Sequence, residues 1–181
     1  MKAALIVLCS ACFALSAHAQ DKARYGQLPE AGRLASACGV QEMNYKVKLD
    51  SKQHGPLPIP EGKALVYFLH EAGSGTSNPV LYPTTKYAID GAWAGANHGD
   101  SWFAVPVEPG EHHLCTNLQS SFVNQRVELA HLTVEAGKAY FFRTRLVMSR
   151  SVELLEFERV DSDEGAYVVS VFPMSVPTVK K

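Results

Sequence analysis

The sequence predicts an all-β domain, an antiparallel sandwich or partly open barrel of about seven to eight short strands. Three observations predict it. Lys63 to His70 (KALVYFLH) is an almost continuous apolar run rich in β-formers, the pattern of a central strand buried on both faces. Phe103, Val105 and Val107 alternate as a half-buried strand, after which Pro109-Gly110 turns the chain into another strand, His112 to Thr116. Asp90-Gly91 is a hairpin turn by composition, because a tight turn with the right twist needs positive φ.

The other elements follow in order. Residues 20–36 mix charge, Gly and Pro without periodicity and read as a flexible lead-in to a domain spanning 37–175. Tyr45, Val47 and Leu49 alternate with Lys46 and Lys48, a strand with one buried face and one lysine face that discourages edge pairing. Glu71 to Tyr82 carries Gly73, Gly75, Asn78 and Pro79 and leaves the sheet, and Tyr87 to Ile89 leads into the Asp90-Gly91 turn. In 127–134 the apolar parity flips between Val127 and Leu129 and then Ala130, Leu132 and Val134, which places a β-bulge near Leu129. Ala139 to Met148 and Val152 to Val160 form a hairpin whose partners sum to 301. That register sets Leu146 against Leu155 and Thr144 against Phe157 on one face, and Arg145 against Glu156 and Arg143 against Glu158 on the other. Asp161, Ser162 and Asp163 can cap a short C-terminal helix, whereas Tyr167 to Phe172 (YVVSVF) prefers strand. Residues 176–181 read as a tail.

The expected compartment comes from the first residues. Lys2, the apolar stretch Ala3 to Leu15 and the small-x-small site Ala17-His18-Ala19 form a secretory signal, residues 1–19, cleaved before Gln20. The destination is periplasmic or extracellular. A lipid anchor on Cys12 competes, but Cys9 stands where Leu is usual and the apolar run would be cut short. No stretch approaches the ~20 apolar residues of a membrane span. Removing residues 1–19 from 181 leaves 162, enough for one domain with an ordinary core. The mature charge is −2, from 16 basic and 18 acidic residues, which recruits neither nucleic acid nor an anionic membrane. Cys38 and Cys115 remain as a lone pair in an oxidising compartment, so one disulfide is expected.

The segments CGVQEMNYKVKLD, PEGKALVYFLHEAG, IDGAWAGANHGDSWFAVPVEPGEHHLC and LTVEAGKAYFFRTRL, in that order, resemble the bacterial domain-of-unknown-function family 2846 over Cys38 to about Pro173. The DG turn, the following Gly and the Gly-containing turn before His are also similar to PEGA-type β-sandwich modules of bacterial envelope proteins. These resemblances imply an extracytoplasmic, Ig-like or PEGA-like β-sandwich of bacterial origin. They bring no established activity and no catalytic residues.

Chemistry is sparse. Gly73-Ser74-Gly75 has Asn78 at the third glycine position, Pro79 next and no helix behind it, so it cannot cradle a dinucleotide phosphate. His70-Glu71 lacks the second zinc-protease His, Ser74 standing there. Gly99-Asp100-Ser101 is followed by Trp102 and Phe103 instead of oxyanion-hole glycines. Strand alternation separates His112 from His113 and Cys115, so HHLC cannot converge on one ion. A metal would need His113 together with a distant His131 or His98. No catalytic residue, metal ligand or cofactor is assigned. Trp93, His98, Asp100 and Trp102 are expected to form a recognition surface, two loop indoles offering a stacking platform for a glycan or an envelope protein. The alternative is that both indoles close the end of the sandwich. The reading is an exported, non-enzymatic binding or accessory module of the cell envelope, with a small metal-dependent or hydrolytic enzyme as the alternative.

Overall fold

The computed structural model describes residues 37–39, 42–72, 84–119, 127–149 and 152–181. The expected signal at residues 1–19, the expected lead-in before Ala37 and nearly all of the expected Glu71 to Tyr82 excursion lie outside them. Among the described residues ten strands form two sheets, more strands than the sequence predicts. The six-stranded sheet holds β1 (Tyr45–Asp50), β2 (Ala64–Glu71), β5 (Ser101–Val107), β8 (Ala139–Ser149), β9 (Val152–Val160) and β10 (Met174–Val179). The four-stranded sheet holds β3 (Thr84–Ile89), β4 (Ala92–Asn97), β6 (Gly110–Gln119) and β7 (Val127–Val134). Their orders are β1-β10-β5-β2-β8-β9 and β4-β3-β6-β7.

The KALVYFLH run becomes β2, buried from Ala64 to His70. Alternation sends Ala64, Val66 and Phe68 into one cluster and Leu65, Tyr67 and Leu69 into another. The first cluster draws on both sheets, with Tyr87, Ile89, Leu114 and Leu132 from the four-stranded one. The second lies beneath a helix. Not all pairing is antiparallel: β2 runs parallel to β8, and β10 parallel to β5. The turn before β8 explains the first case, because it docks on the start of β2. Gly137 N donates to Lys63 O at 2.7 Å and Leu65 N to Lys138 O at 3.0 Å, so both strands leave in one direction.

The β8–β9 hairpin has the expected register, Arg143 opposite Glu158 and Thr144 opposite Phe157. Arg143 donates to Glu158 from Nε and Nη2, at 3.2 and 2.6 Å. Arg145 instead bonds Glu71 on the neighbouring β2, at 2.7 Å. In β1, Tyr45 is buried, but Val47 is only half-buried and Leu49 is exposed. The smaller sheet reaches β1 at Tyr45, which exchanges hydrogen bonds with Gln119 of β6 at 2.5 and 2.9 Å, and cover is lost towards Leu49.

The expected bulge near Leu129 is absent: β6 and β7 keep one register from Gly110–Val134 to Asn117–Val127. The parity flip has another cause. Val127 and Leu129 face outward onto a third cluster with Ala37, Cys38, Ala88, Trp93 and Cys115, so β7 is covered on both sides near its start. The register shift lies between Tyr87 and Ala88 instead, with Ala94 as the extra residue of β4. Asp90 and Gly91 both have positive φ, 50° and 80°, as the hairpin turn requires.

The C-terminal ambiguity resolves as helix α1 (Ser162–Val171). Asp161 caps it, its Oδ1 accepting from Asp163 N at 3.0 Å and Glu164 N at 2.9 Å. The strand preference of YVVSVF yields because Val168 and Val169 bury against Tyr67, Phe141 and Trp102. Most of the expected tail, 176–181, is strand: β10 pairs with β1 from Met174–Asp50 to Val179–Tyr45, carrying the sheet to Val179.

Two outcomes are expected. A Cβ on Gly165 would lie 2.2 Å from Phe141 Cγ. Gly165→Ala, worth about 1 kcal/mol of gain in an open helix, should therefore cost roughly 1–3 kcal/mol through overpacking. Urea denaturation reads the sign, and a stabilised variant would refute this packing of α1. Cys38 and Cys115 are disulfide-bonded with Cα atoms 5.2 Å apart, closing a separation of 77 residues. Reduction should cost about 2–4 kcal/mol, measured with and without reductant.

Candidate functional site

The four expected site residues do not share a surface. β4 belongs to one sheet and β5 to the other, so residues 98–100 cross between layers. Trp93 joins the outer cluster of the four-stranded sheet, where Lys86 Nζ lies 4.5 Å from its ring centroid. Trp102 packs on the opposite outer side, beneath α1, with no exposure. Its Nε1 donates to Phe172 O at 2.9 Å. The indoles therefore seal two different layers and neither make a platform nor close an end. Between them, His98 Nδ1 lies 3.3 Å from Thr84 Oγ1, and Asp100 Oδ1 accepts from Ala72 N at 2.7 Å. Both brace the crossover.

Behind that crossover the space between the sheets turns polar. His70 stands opposite Ser101 of β5 and Thr144 of β8, and Thr85 opposite Asn97. All five are buried. Asn97 Nδ2 donates to Phe68 O at 2.9 Å, and Ser175 Oγ to Ser101 Oγ at 2.9 Å. His70 Nε2, Thr85 Oγ1, Tyr87 Oη, Asn97 Oδ1, Thr116 Oγ1 and Thr144 Oγ1 are buried without a hydrogen-bond partner. Burial raises the Tyr87 phenol; Thr144 and Asn97 lie near enough to oppose this without closing a hydrogen bond. His70 Nδ1 is 2.8 Å from Gly99 O, which only accepts, so Nδ1 carries the hydrogen and the neutral ring's lone pair sits on Nε2. This layer contains hydroxyls, an amide and an imidazole at the margin of an aromatic core. Nothing in the sequence pattern marks it, because its members come from different strands.

A second polar group lies on the four-stranded sheet. His112 Nδ1 is 2.6 Å from Asp90 Oδ2 and Nε2 is 2.7 Å from Glu108 O. His113 N donates to Asp90 Oδ1 at 2.8 Å. As alternation requires, His112 turns inward and is buried, while His113 stays on the outer face. There His113 is paired with His131, ring centroids 5.0 Å apart. Burial lowers the His113 pKa, and the neighbouring His131 lowers it further. β6 and β7 are separated in sequence by residues 120–126, so this pairing could not be read from spacing. Among the described residues no three His, Cys, Asp or Glu side chains converge on a metal position as they stand. A depression of about 450 Å³, lined by Tyr140, Phe141, Arg159 and Asp161, opens beside the start of α1. No helix among the described residues is long and apolar enough to cross a membrane.

Compared with family models, curated proteins and solved structures, the chain finds no match in any of the three.

His70 yields a test of the polar layer. Burial pushes its imidazole below the ordinary value, against the opposing pull of the Gly99 carbonyl and Asp100. An unfolded histidine titrates near about 6.5, so below that pH the unfolded chain holds a proton that the folded ring refuses. The unfolded state then binds more protons and stability falls as pH drops. The urea midpoint should decline from about pH 7 to pH 5, and His70→Asn, which keeps a donor for Gly99, should flatten the decline. Coincident slopes for the two proteins would exclude His70 as the titrating group.

Proposed function

We propose that the protein is an exported, non-enzymatic binding or accessory module of the bacterial cell envelope. In this reading it is a two-layer, Ig-like or PEGA-like β-sandwich akin to domain-of-unknown-function family 2846, working in the periplasm or outside the cell. The signal pattern of residues 1–19 supports export, and so does the bonded Cys38–Cys115 pair, since disulfides persist in oxidising compartments.

The observation that carries binding is the solvent side of α1. Tyr167 is 67% exposed and Val171, one helical turn on, 47%. Alternation along β10 places the exposed Val176 on the same side of the sheet as Met174, which packs beneath α1. An exposed aromatic with a polar tip beside aliphatic groups is typical of a protein-recognition surface. This face takes over the role expected of Trp93, His98, Asp100 and Trp102. The partner is an envelope protein, docking on the α1 face.

The test is pull-down from envelope extract and, separately, binding to isolated cell-wall glycan. Tyr167→Ser with Val171→Ser should leave the urea midpoint nearly unchanged and weaken capture of a discrete protein partner about 10-fold or more. Unchanged capture, or glycan binding as the only activity, would remove the α1 face from the proposal. The runner-up is a small metal-dependent or hydrolytic enzyme, favoured by the opposed rings of His113 and His131. Turnover of ester, phosphoester or glycoside substrates by purified protein, abolished by His131→Gln, would put that reading first.

A further inference from the structure

The geometry points to the outer edge of β1 as a docking site for a short extended segment of a partner protein, alternating acidic and apolar, which joins the six-stranded sheet as a further strand. It concerns the margin of the sheet and stands independently of the α1 face. Among the described residues β1 ends that sheet and pairs with β10 alone. Hydrogen-bonded pairs alternate along an antiparallel ladder. Lys180 N donates to Asn44 O at 2.8 Å, so in the same register Lys46, Lys48 and Asp50 turn their backbone groups to β10. Pro177, which lacks an N–H, stands opposite Val47, at a place in the ladder where none is needed. The N–H and C=O groups of Tyr45, Val47 and Leu49 therefore face away from β10.

The first of these three already has a stand-in for a neighbouring strand. Tyr45 N donates to Gln119 Oε1 at 2.5 Å and Gln119 Nε2 donates to Tyr45 O at 2.9 Å, the two-point exchange that a backbone in an added strand makes. Val47 and Leu49 continue the row past Gln119. Their side chains point to the inner side of the sheet, because Pro177, opposite Val47, packs against Gly95 of β4, where a Cβ would lie 3.1 Å from Pro177 Cγ. Cover runs out along that side: Val47 is half-buried and Leu49 is 47% exposed. Lys46 and Lys48 stand exposed on the other side.

A strand added to a sheet edge takes affinity from the main-chain ladder and specificity from alternate side chains. On the inner side the segment needs apolar residues to cover Val47 and Leu49, and on the outer side acidic residues to meet the two lysines. The same lysines reject a second copy of β1. Antiparallel pairing centred on Val47 or Lys48 sets lysine against lysine, and pairing centred on Leu49 runs beyond the end of β1 at Asp50. The charge that protects this edge from self-association is thus the charge that selects an acidic partner.

The probe is an end-capped peptide of alternating glutamate and valine, titrated at low ionic strength, where exposed charges are least screened, into nitrogen-15-labelled, oxidised mature protein. Saturable shifts and slowed hydrogen exchange are expected at the amides of Val47 and Leu49. An alternating lysine–valine peptide should bind at least about 5-fold more weakly. The glutamate–valine peptide N-methylated throughout has no N–H to give the ladder and should not bind. Lys46→Glu with Lys48→Glu should reverse the preference between the two unmethylated peptides, which loss of folding cannot mimic. Absent shifts at Val47 and Leu49, binding of the N-methylated peptide, equal affinity for the two charged peptides, an unreversed preference in the double variant, or self-association through β1 would overturn the assignment.

Discussion

Everything in this molecule is arranged around a strand that cannot face water. Burying the five large apolar residues Leu65 to Leu69 contributes about 1.5–3 kcal/mol each, a sum comparable with the whole ~5–15 kcal/mol margin of a folded domain. Because they alternate, no single layer can cover them. The inner set recruits the four-stranded sheet, and the outer set recruits α1, pressed so close that Gly165 has no room for a methyl group beside Phe141. The chain's order follows. After two excursions into the other sheet it returns to β2's flank as β8, and it ends by laying α1 across that outer face before β10 completes the sheet.

The four-stranded sheet solves a smaller version of the same problem with covalent help. Its outer face holds Ala88, Trp93, Cys115, Val127 and Leu129, with Ala37 and Cys38 packed over them. The disulfide clips Ala37 and Cys38 over it, and Gly91 N bonds Ala37 O at 3.1 Å. Alongside, Lys86 is almost fully buried, its Nζ 2.5 Å from Glu42 Oε2 and 4.5 Å from the centroid of the Trp93 ring. A buried ammonium without that carboxylate would cost several kcal/mol, so Glu42 is held to this sheet by electrostatics as Cys38 is by the bridge.

What could be read in advance divides along a physical line. The β8–β9 register was legible because a short connection and two chemically consistent faces exclude a slip by one residue. The cap at Asp161 was legible because capping is local. The bulge near Leu129 was misplaced because parity shows only that a face is apolar; the clipped N-terminal residues that cover it lie some ninety positions away in sequence. The strand-like YVVSVF became helix for a similar reason, tertiary burial of Val168 and Val169 outweighing local preference. For the candidate site, alternation correctly parted His112 from His113, but the meeting of His113 with His131 depends on the pairing of β6 with β7, which no local pattern in the sequence specifies.

The misreading of the tryptophans has a more general cause. Loops over a stable scaffold usually collect function, and the segment from Asn97 to Ser101 has the glycine and polar content of such a loop. It also has to carry the chain from one sheet to the other, and that task consumes its polar groups: the Gly99 carbonyl for His70, Asp100 for Ala72 N, His98 for Thr84. A crossover of this kind is a brace, and its flanking indoles go to opposite layers because the strands on either side do. The outer face of β6 is under the opposite condition. Along Cys115, His113 and Glu111 the side chains pass from fully buried, through 30% exposed, to 67% exposed, on a backbone paired with β7 throughout and with β3 only as far as Leu114. Binding geometry needs rigid placement together with access to solvent, and in this fold that combination occurs on a partly covered sheet face, where pairing with β7 fixes the backbone and exposure rises from Cys115 to Glu111.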